Sequence, residues 1–529
     1  MATPAALASP ARDEFLGHPK GLYVCFFTEM WERFSFYGMK ALLLLYLIKY
    51  HLFSDDNGYN LIGAYGGLVY AMPVIGGLIA DRWLGMRKAV VFGGILLVLG
   101  HLGMAIEGHP ARYVDGVVVR DAAALQVFYL SLALIIMGVG FLKPNISTIV
   151  GKLYGDNDPR RDSGFSIFYA GINLGATVSG VLCGWLGETY GWGWGFGAAG
   201  IGMLAGLANF TLGRKHLRGH AEPREPARLR ERVLGPLTRE HLIYLGAIGG
   251  VAVVWGLIQS HSIVLALIPG VFEPSPVLLA MHLVTACLLG GILWFMFTRC
   301  SKVEREQMFM VLAFIGLCLV FFTLYEQTYG SWVLFSDRAM NHAALGIDWS
   351  ASQLTSLGAF FILVLAPPLA WLWPRLERAG RNPGSLVKSA LGLIFAGLSF
   401  LVLVWSARHP QANGLTGIWW FVLAYFVLEV GEMLLSPIGL SVVTQLSVPR
   451  VVSLMMGGWF LGTSYSEVLA AQLGKLSAIE IPEGATLDIA AALSKYDQLF
   501  LFSAWIGIGS GIVVLALSPL LRRWMHGVK

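Results

Sequence analysis

Two acids and two bases stand in the stretch Glu29-Met30-Trp31-Glu32-Arg33-Phe34-Ser35-Phe36-Tyr37-Gly38-Met39-Lys40, inside a segment otherwise apolar enough to cross a bilayer. Positions 29, 32/33, 36/37 and 40 recur at i, i+3/i+4, i+7 and i+11, so a helix carries them on one face along about 16 Å. Charge in the middle of a membrane helix costs roughly 3 kcal/mol per residue, and such residues face a bundle interior and serve a pathway. The chemistry open to Glu29, Glu32 and Arg33 is proton relay, because burial raises a carboxylate's affinity for protons and nearby bases offer alternative partners. A static ion cluster is the competing reading. Desolvation cancels much of what a buried pair gains, and three charges plus Lys40 exceed what packing requires.

Other apolar segments carry ionisable residues too. Lys143 lies in Gly138-Val139-Gly140-Phe141-Leu142-Lys143-Pro144-Asn145, deep in the fourth span, where Pro144 frees a carbonyl and predicts a bend. Glu326, in Phe322-Thr323-Leu324-Tyr325-Glu326-Gln327, is expected to pair with Lys143 across two helix bundles, in a contact made in one access state and broken in the other. Glu429 and Glu432 precede Ser436-Pro437 in a later span. The five acids Glu29, Glu32, Glu326, Glu429 and Glu432 outnumber the three bases Arg33, Lys40 and Lys143, so protons or a cationic group on a substrate must neutralise the excess.

Asn173 follows Tyr169 by one turn and either offers an amide to a substrate or ties two helices together. Gly171, Gly175 and Ser179 read as a packing seam of small residues. Tyr37, Tyr70 and Trp459 become substrate candidates through their position beside the charges. Asp81, Arg82, Gly85 and Arg87 form a turn that reads as a gate or a lock between bundles, and Pro144 and Pro437 read as structural bends.

The elements that must position these residues are membrane helices. Of the 529 residues 56% are hydrophobic and 13% charged, which sets soluble domains aside, and a net charge of +5 is too small to suggest nucleic acid. Fourteen apolar segments of spanning length fall near 21–50, 60–81, 88–107, 124–153, 163–187, 191–213, 241–260, 276–298, 303–335, 350–373, 386–407, 416–446, 451–478 and 497–520. Loops with Arg87/Lys88, Arg160/Arg161, Arg214 to Arg239, Arg299/Lys302, Arg375 to Arg381 and Arg522/Arg523 alternate with loops poorer in Lys and Arg, which places both termini in the cytoplasm.

The organisation expected is a tail over 1–20, a six-helix bundle over 21–213, a basic linker over 214–240, an inserted two-helix hairpin over 241–300, a second bundle over 301–521 and a tail over 522–529. The hairpin, where His261, His282 and Glu273 are few against the apolar background, reads as a lipid-facing scaffold. Residues 1–20 lack the apolar run of a cleavable signal peptide. Cys25, Cys183, Cys287, Cys300 and Cys318 show no metal spacing and read as small hydrophobes, so neither cofactor nor metal is expected.

Glu29, Glu32, Arg33, Phe34, Tyr37 and Gly38, the Lys143-Pro144 segment, Phe168-Tyr169-x-x-Ile172-Asn173-x-Gly175, Glu326-Gln327, and Gly431-Glu432 with Ser436-Pro437 occur in this order. Together they resemble the proton-dependent oligopeptide transporter family of the major facilitator superfamily, from about residue 20 to 520. The Gly76 to Lys88 turn is similar to the wider superfamily's loop signature, and the hairpin to that of the bacterial members. The resemblance implies an all-α membrane protein with the major facilitator fold, two six-helix bundles plus the hairpin. It also implies alternating access and proton-coupled symport of di- and tripeptides across the cell (inner) membrane by a monomer. By position it implies proton coupling at Glu29, Glu32, Arg33, Lys143 and Glu326. It implies that Lys40 and Lys143 lie near the peptide carboxylate and that Glu432 and Asn173 recognise the amino end or backbone. Tyr37, Tyr70, Ser436 and Trp459 complete the expected substrate lining.

Three departures from the family pattern stand out. Phe36 replaces the first tyrosine of the opening motif, Ser356-Leu357-Gly358-Ala359 stands where Ser-Leu-Asn-Pro is common, and Ala176-Thr177 replaces Ser-Leu. A change of cargo is therefore expected to show at Phe36 and Gly358. The alternatives are another small zwitterion or an anion such as nitrate, which the retained Glu432 disfavours. From a different class, a non-transporting receptor or structural membrane protein is opposed by the intact charged motifs. No nucleophile–base set suggests an enzyme.

Overall fold

The computed structural model describes residues 13–155, 158–217, 219–223, 225–259 and 276–528. Residues 1–12 of the expected tail, and His261 and Glu273 of the hairpin, lie outside the described residues. Among these, fourteen helices have spanning length. They are α1 Lys20–Leu45, α2 Asp55–Ile79, α3 Met86–Met104, α4 Ala122–Lys152, α5 Arg161–Tyr190, α6 Trp192–Gly213, α7 Arg239–Gln259, α8 Pro276–Arg299, α9 Lys302–Tyr325, α10 Leu357–Arg378, α11 Ser385–Arg408, α12 Ile418–Leu446, α13 Val452–Gly474 and α14 Ile489–Trp524. Twelve are long and apolar enough to cross a membrane. The two that fall short, α1 and α13, contain the charges described below.

Local chemistry sets the boundaries. Asp121 accepts from the backbone N–H groups of Ala123 and Ala124 and so caps α4, and Ser301 forms a reciprocal capping box with Glu304 at α9. Gly191, at φ +125°, ends α5 and begins α6 in a conformation closed to other residues. One boundary differs from the sequence expectation: the ninth span is not a single rod. Helix α9 ends at Tyr325, tightens into a 3₁₀ turn over Glu326–Tyr329, and resumes as Ser331–Ala339. Glu326 thus sits where the helical hydrogen bonding changes, a place that often marks a working segment.

With an even number of crossings among the described residues, the start of α1 and the end of α14 lie on one face of the molecule, called the terminus face, opposite a far face. Helices α1 to α6 enclose one apolar core and α9 to α14 another. Two seams join these halves. In one, α2 runs along α13; in the other, α5 meets α10 and the single turn Ala351–Leu354 before it. Along the first seam α2 presents Gly63, Gly66 and Gly67. A Cβ at these positions would stand 2.6 Å from Ala471, 2.5 Å from the Glu467 carboxylate and 3.1 Å from Val468. Within the first half, Gly175 of α5 lies against the Met30 carbonyl of α1, and Gly76 of α2 against the Gly140 carbonyl of α4, which Pro144 leaves without its usual N–H. The proline is thereby accommodated inside one continuous helix. Pro437 lies within α12, its side chain outside the described residues.

Helix α7 packs on α4 through Ala247, Val251, Val254 and Ile258, while α8 touches α2, α9 and α13. Little of either is buried, as a lipid-facing scaffold requires. His282 departs from that role, bonding through Nδ1 to the Tyr465 hydroxyl of α13 at 2.7 Å.

Candidate functional site

Two charge clusters lie inside the molecule. The first is local to α1. Arg33 Nε lies 2.9 Å from Glu29 Oε1 and 2.5 Å from Glu32 Oε2, all three residues being at most 4% exposed. Oxygens of both acids and one Arg33 nitrogen have no hydrogen-bond partner, so the cluster has unused capacity for protons or new partners.

The second cluster bridges the halves. Lys40 Nζ, one helical face further along α1, donates to Glu326 Oε2 and to Glu467 Oε1, each at 2.7 Å. Glu326 comes from the 3₁₀ turn after α9 and Glu467 from α13. The Tyr329 ring lies 4.9 Å from the same ammonium. Between the clusters the Phe36 ring is 5.5 Å from the Arg33 guanidinium and 6.0 Å from Lys40 Nζ, and it stacks on Tyr65.

Beyond Lys40 the far face is tied shut. Arg338 makes two hydrogen bonds, of 2.6 and 2.7 Å, to the Asp55 carboxylate at the start of α2, which also accepts from the Ile479 backbone. Lys49 pairs with Asp337, and Glu188 accepts from the Ser352 backbone at 2.9 Å. Among the described residues, every ion pair joining the halves lies at mid-depth or on the far face. On the terminus face a cavity of about 1410 Å³ opens between α5 and the second half. It runs from Glu377, Asn382 and Arg522 inward to Tyr169, Asn173 and Ser436. The cavity thus opens on the terminus face while the halves are tied together on the far one; of the expected site residues Asn173 and Ser436 line it, and neither charge cluster does.

The POT family model matches residues 87–483. The chain is 35% identical to an uncharacterized transporter, YclF, of Bacillus subtilis, over 97% of this chain and 96% of that one. It is 33% identical to the peptide transporter YePEPT of Yersinia enterocolitica, over 88% and 89%. Among solved structures, the peptide transporter POT in complex with sulfate superposes with a TM-score of 0.77 at 34% identity, covering 97% of each chain. This chain belongs to the POT family. It is a multi-pass membrane protein with the fold of POT transporters.

Within this POT protein the structure brings together Glu29, Glu32 and Arg33 as the sequence suggests, and it changes one pairing. Glu326 engages Lys40, whereas Lys143 stands over the Tyr70 ring at 4.2 Å. The expected Lys143–Glu326 contact is absent because Lys40 reaches the 3₁₀ turn from α1 directly. Tyr37 stacks on Tyr329 beside the bridging cluster. Asn173 and Ser436 line the cavity.

Two expectations need correction, for Trp459 and for the Asp81 to Arg87 turn. Trp459 is 7% exposed, its ring packed against Gly439 of α12, and it serves helix packing rather than the cavity. Phe36, at 1% exposure, lies at the join between the two clusters, as its place in the α1 motif suggests. The Asp81 to Arg87 turn does not lock the halves: Arg87 pairs with Glu222 of the linker at 2.5 Å, Gly85 abuts Pro223, and Asp81 and Arg82 are exposed.

The residue missed by sequence reasoning is Glu467. Its signal was an acid eight residues after Trp459 in a spanning segment. Glu432 keeps one carboxylate oxygen unpartnered, and both oxygens of the fully buried Glu429 are likewise unpartnered. A Cβ on Gly358 would stand 2.8 Å from Glu429 Oε1 and 3.4 Å from the Tyr325 hydroxyl, so this acid occupies the space of the missing side chain.

Proposed function

We propose that this POT protein carries di- and tripeptides into the cytoplasm with protons, by rocking its two halves around a central site. The observation that carries the reading is the Lys40 ammonium held between Glu326 and Glu467. This cation–anion contact spans the halves on the side tied shut by Arg338–Asp55 and Lys49–Asp337, and it breaks when the halves part there. A short peptide is a zwitterion with a constant backbone and variable side chains. Lys40 and Lys143 on one half and Glu432 on the other suit its two ends, and the wide cavity leaves room for side chains. Protons reach Glu29, Glu32 and Glu326, whose neutralisation removes the excess negative charge. The basic loops gather on the terminus face, which supports placing that face in the cytoplasm of the inner membrane. The peptide transport named for YePEPT and for the solved POT supports the choice of cargo.

Gly358 favours a second reading, another small zwitterion. The side chain that would contact an amino end from α10 is missing, and Glu429 lies in its place. The deciding experiment is uptake of labelled dialanine into proteoliposomes with and without an inward proton gradient, competed by other peptides, free amino acids and nitrate. Gradient-driven uptake displaced by peptides supports the first reading. Displacement by amino acids and not by peptides supports the second.

A further inference from the structure

Glu326 and Glu467 sit on the same half, and both depend on a single ammonium from the other. When the far face opens, Lys40 leaves with α1 while the two carboxylates remain side by side on the 3₁₀ turn and α13. Two adjacent carboxylates in a water-poor interior cannot both stay charged once their cation is withdrawn. We propose that Glu467 is a further proton-loading site within the bridging cluster, so that far-face opening takes up one proton at Glu326 and one at Glu467. As each oxygen's bond to the Lys40 ammonium breaks, the carboxylate takes a proton from far-side water, and Lys40 remains protonated throughout. On return, both protons pass to the terminus face and Lys40 regains its partners.

The surroundings fit such a site. From α1, Lys40 faces Glu467 at 2.7 Å. From α2, Tyr65 and Tyr70 face it, and Gly66 lies directly against its carboxylate. From the 3₁₀ turn, Glu326 faces it, with Tyr329 beside the shared ammonium. Tyr465, two residues earlier on α13, is turned away to His282. A cavity of about 20 Å³ lies among Lys40, Glu326, Glu467, Tyr59 and Tyr65. That is room for one water molecule, enough to pass a proton between the acids. The Tyr65 hydroxyl, which faces Lys40 and Glu467, has no hydrogen-bond partner and is an available donor beside the pair.

The inference rests on the symport reading, and the test separates the two. Peptide uptake into proteoliposomes is measured against external pH for the parent, Glu467→Gln and Glu467→Asp. For the parent, the logarithm of uptake should fall with rising pH, with a limiting slope steeper by about one than in Glu467→Gln, any protons of the α1 cluster counting equally in both. Glutamine imitates the protonated acid, so the midpoint should also move to more alkaline pH. Aspartate keeps a titratable group and should restore the steeper slope. An unchanged slope and midpoint in Glu467→Gln, with coupling still lost in Glu326→Gln, overturns the role of Glu467 and leaves symport standing. Parent uptake indifferent to the gradient overturns both. Equal scaling of gradient-driven uptake and counterflow in both Glu467 variants, with no change in pH profile, assigns Glu467 to structure and also overturns the inference.

Discussion

The two charge clusters contain the same chemistry: two glutamates and one base, each with one negative charge in excess. They differ in where those charges are mounted. Glu29, Glu32 and Arg33 belong to one helix, so their distances are fixed by helical geometry and are blind to the rocking of the halves. Lys40, Glu326 and Glu467 come from three elements on two halves, so each opening makes or breaks their bonds. One cluster can store protons; the other converts their presence into movement. Identical charge content acquires a different function from connectivity alone.

The largest effect should come from removing the bridging base. Lys40→Met leaves Glu326 and Glu467 facing each other without a cation, and a buried pair that loses one partner costs about 3–5 kcal/mol. Uptake and counterflow should both fall to background, with a marked drop in Tm in detergent. An unchanged Tm would mean that the two acids are not held together as described. Next is Glu326→Gln, which keeps shape and hydrogen bonding but cannot release a proton. Gradient-driven accumulation should disappear while counterflow exchange survives, and parallel loss of both would reassign the residue to structure.

Arg33→Lys tests the other side of the comparison. It retains the charge and loses the planar fork that reaches two carboxylates, and arginine and lysine are not interchangeable at such sites. Accumulation should fall about tenfold, equivalent to about 1.4 kcal/mol. Labelling of a reporter cysteine on the far face should be unaltered, since this cluster lies within one half. Altered labelling would break the distinction between storage and movement.

The smallest effect belongs to Arg87→Gln, where the pair with Glu222 is partly exposed and worth at most about 1 kcal/mol. Arg87 holds the Glu222 carboxyl below its ordinary value through its hydrogen bonds. Its contribution is therefore full above the ordinary carboxylate range and is lost as pH falls through the depressed value. The Tm difference between parent and variant should be small near neutrality and vanish in acid.

The fourteen helices and the α1 cluster were legible in the sequence, because hydrophobic length and helical spacing are local properties. The partner of Glu326 was not, since choosing between Lys40 and Lys143 requires the register of one half against the other. Glu467 escaped notice because it follows Ser464-Tyr465-Ser466, in a stretch whose small polar residues dilute the contrast that made Glu29 conspicuous. Phe36 was readable as a departure and, by helical spacing along α1, as lying between Arg33 and Lys40; its stacking on Tyr65 depends on how α1 is rotated against α2.

The glycine row of α2 has a mechanical consequence. Gly63, Gly66 and Gly67 give α13 a nearly smooth bearing surface, with no α2 side chains threaded between those of its neighbour at these positions. Such a seam can be peeled apart without unmeshing teeth. Its grip on the closed state then resides in the hydrogen bond that the Ser464 hydroxyl donates to the Gly67 carbonyl and in a few ionic clasps at Lys40, Arg338 and Lys49, each of the latter undone by moving a charge.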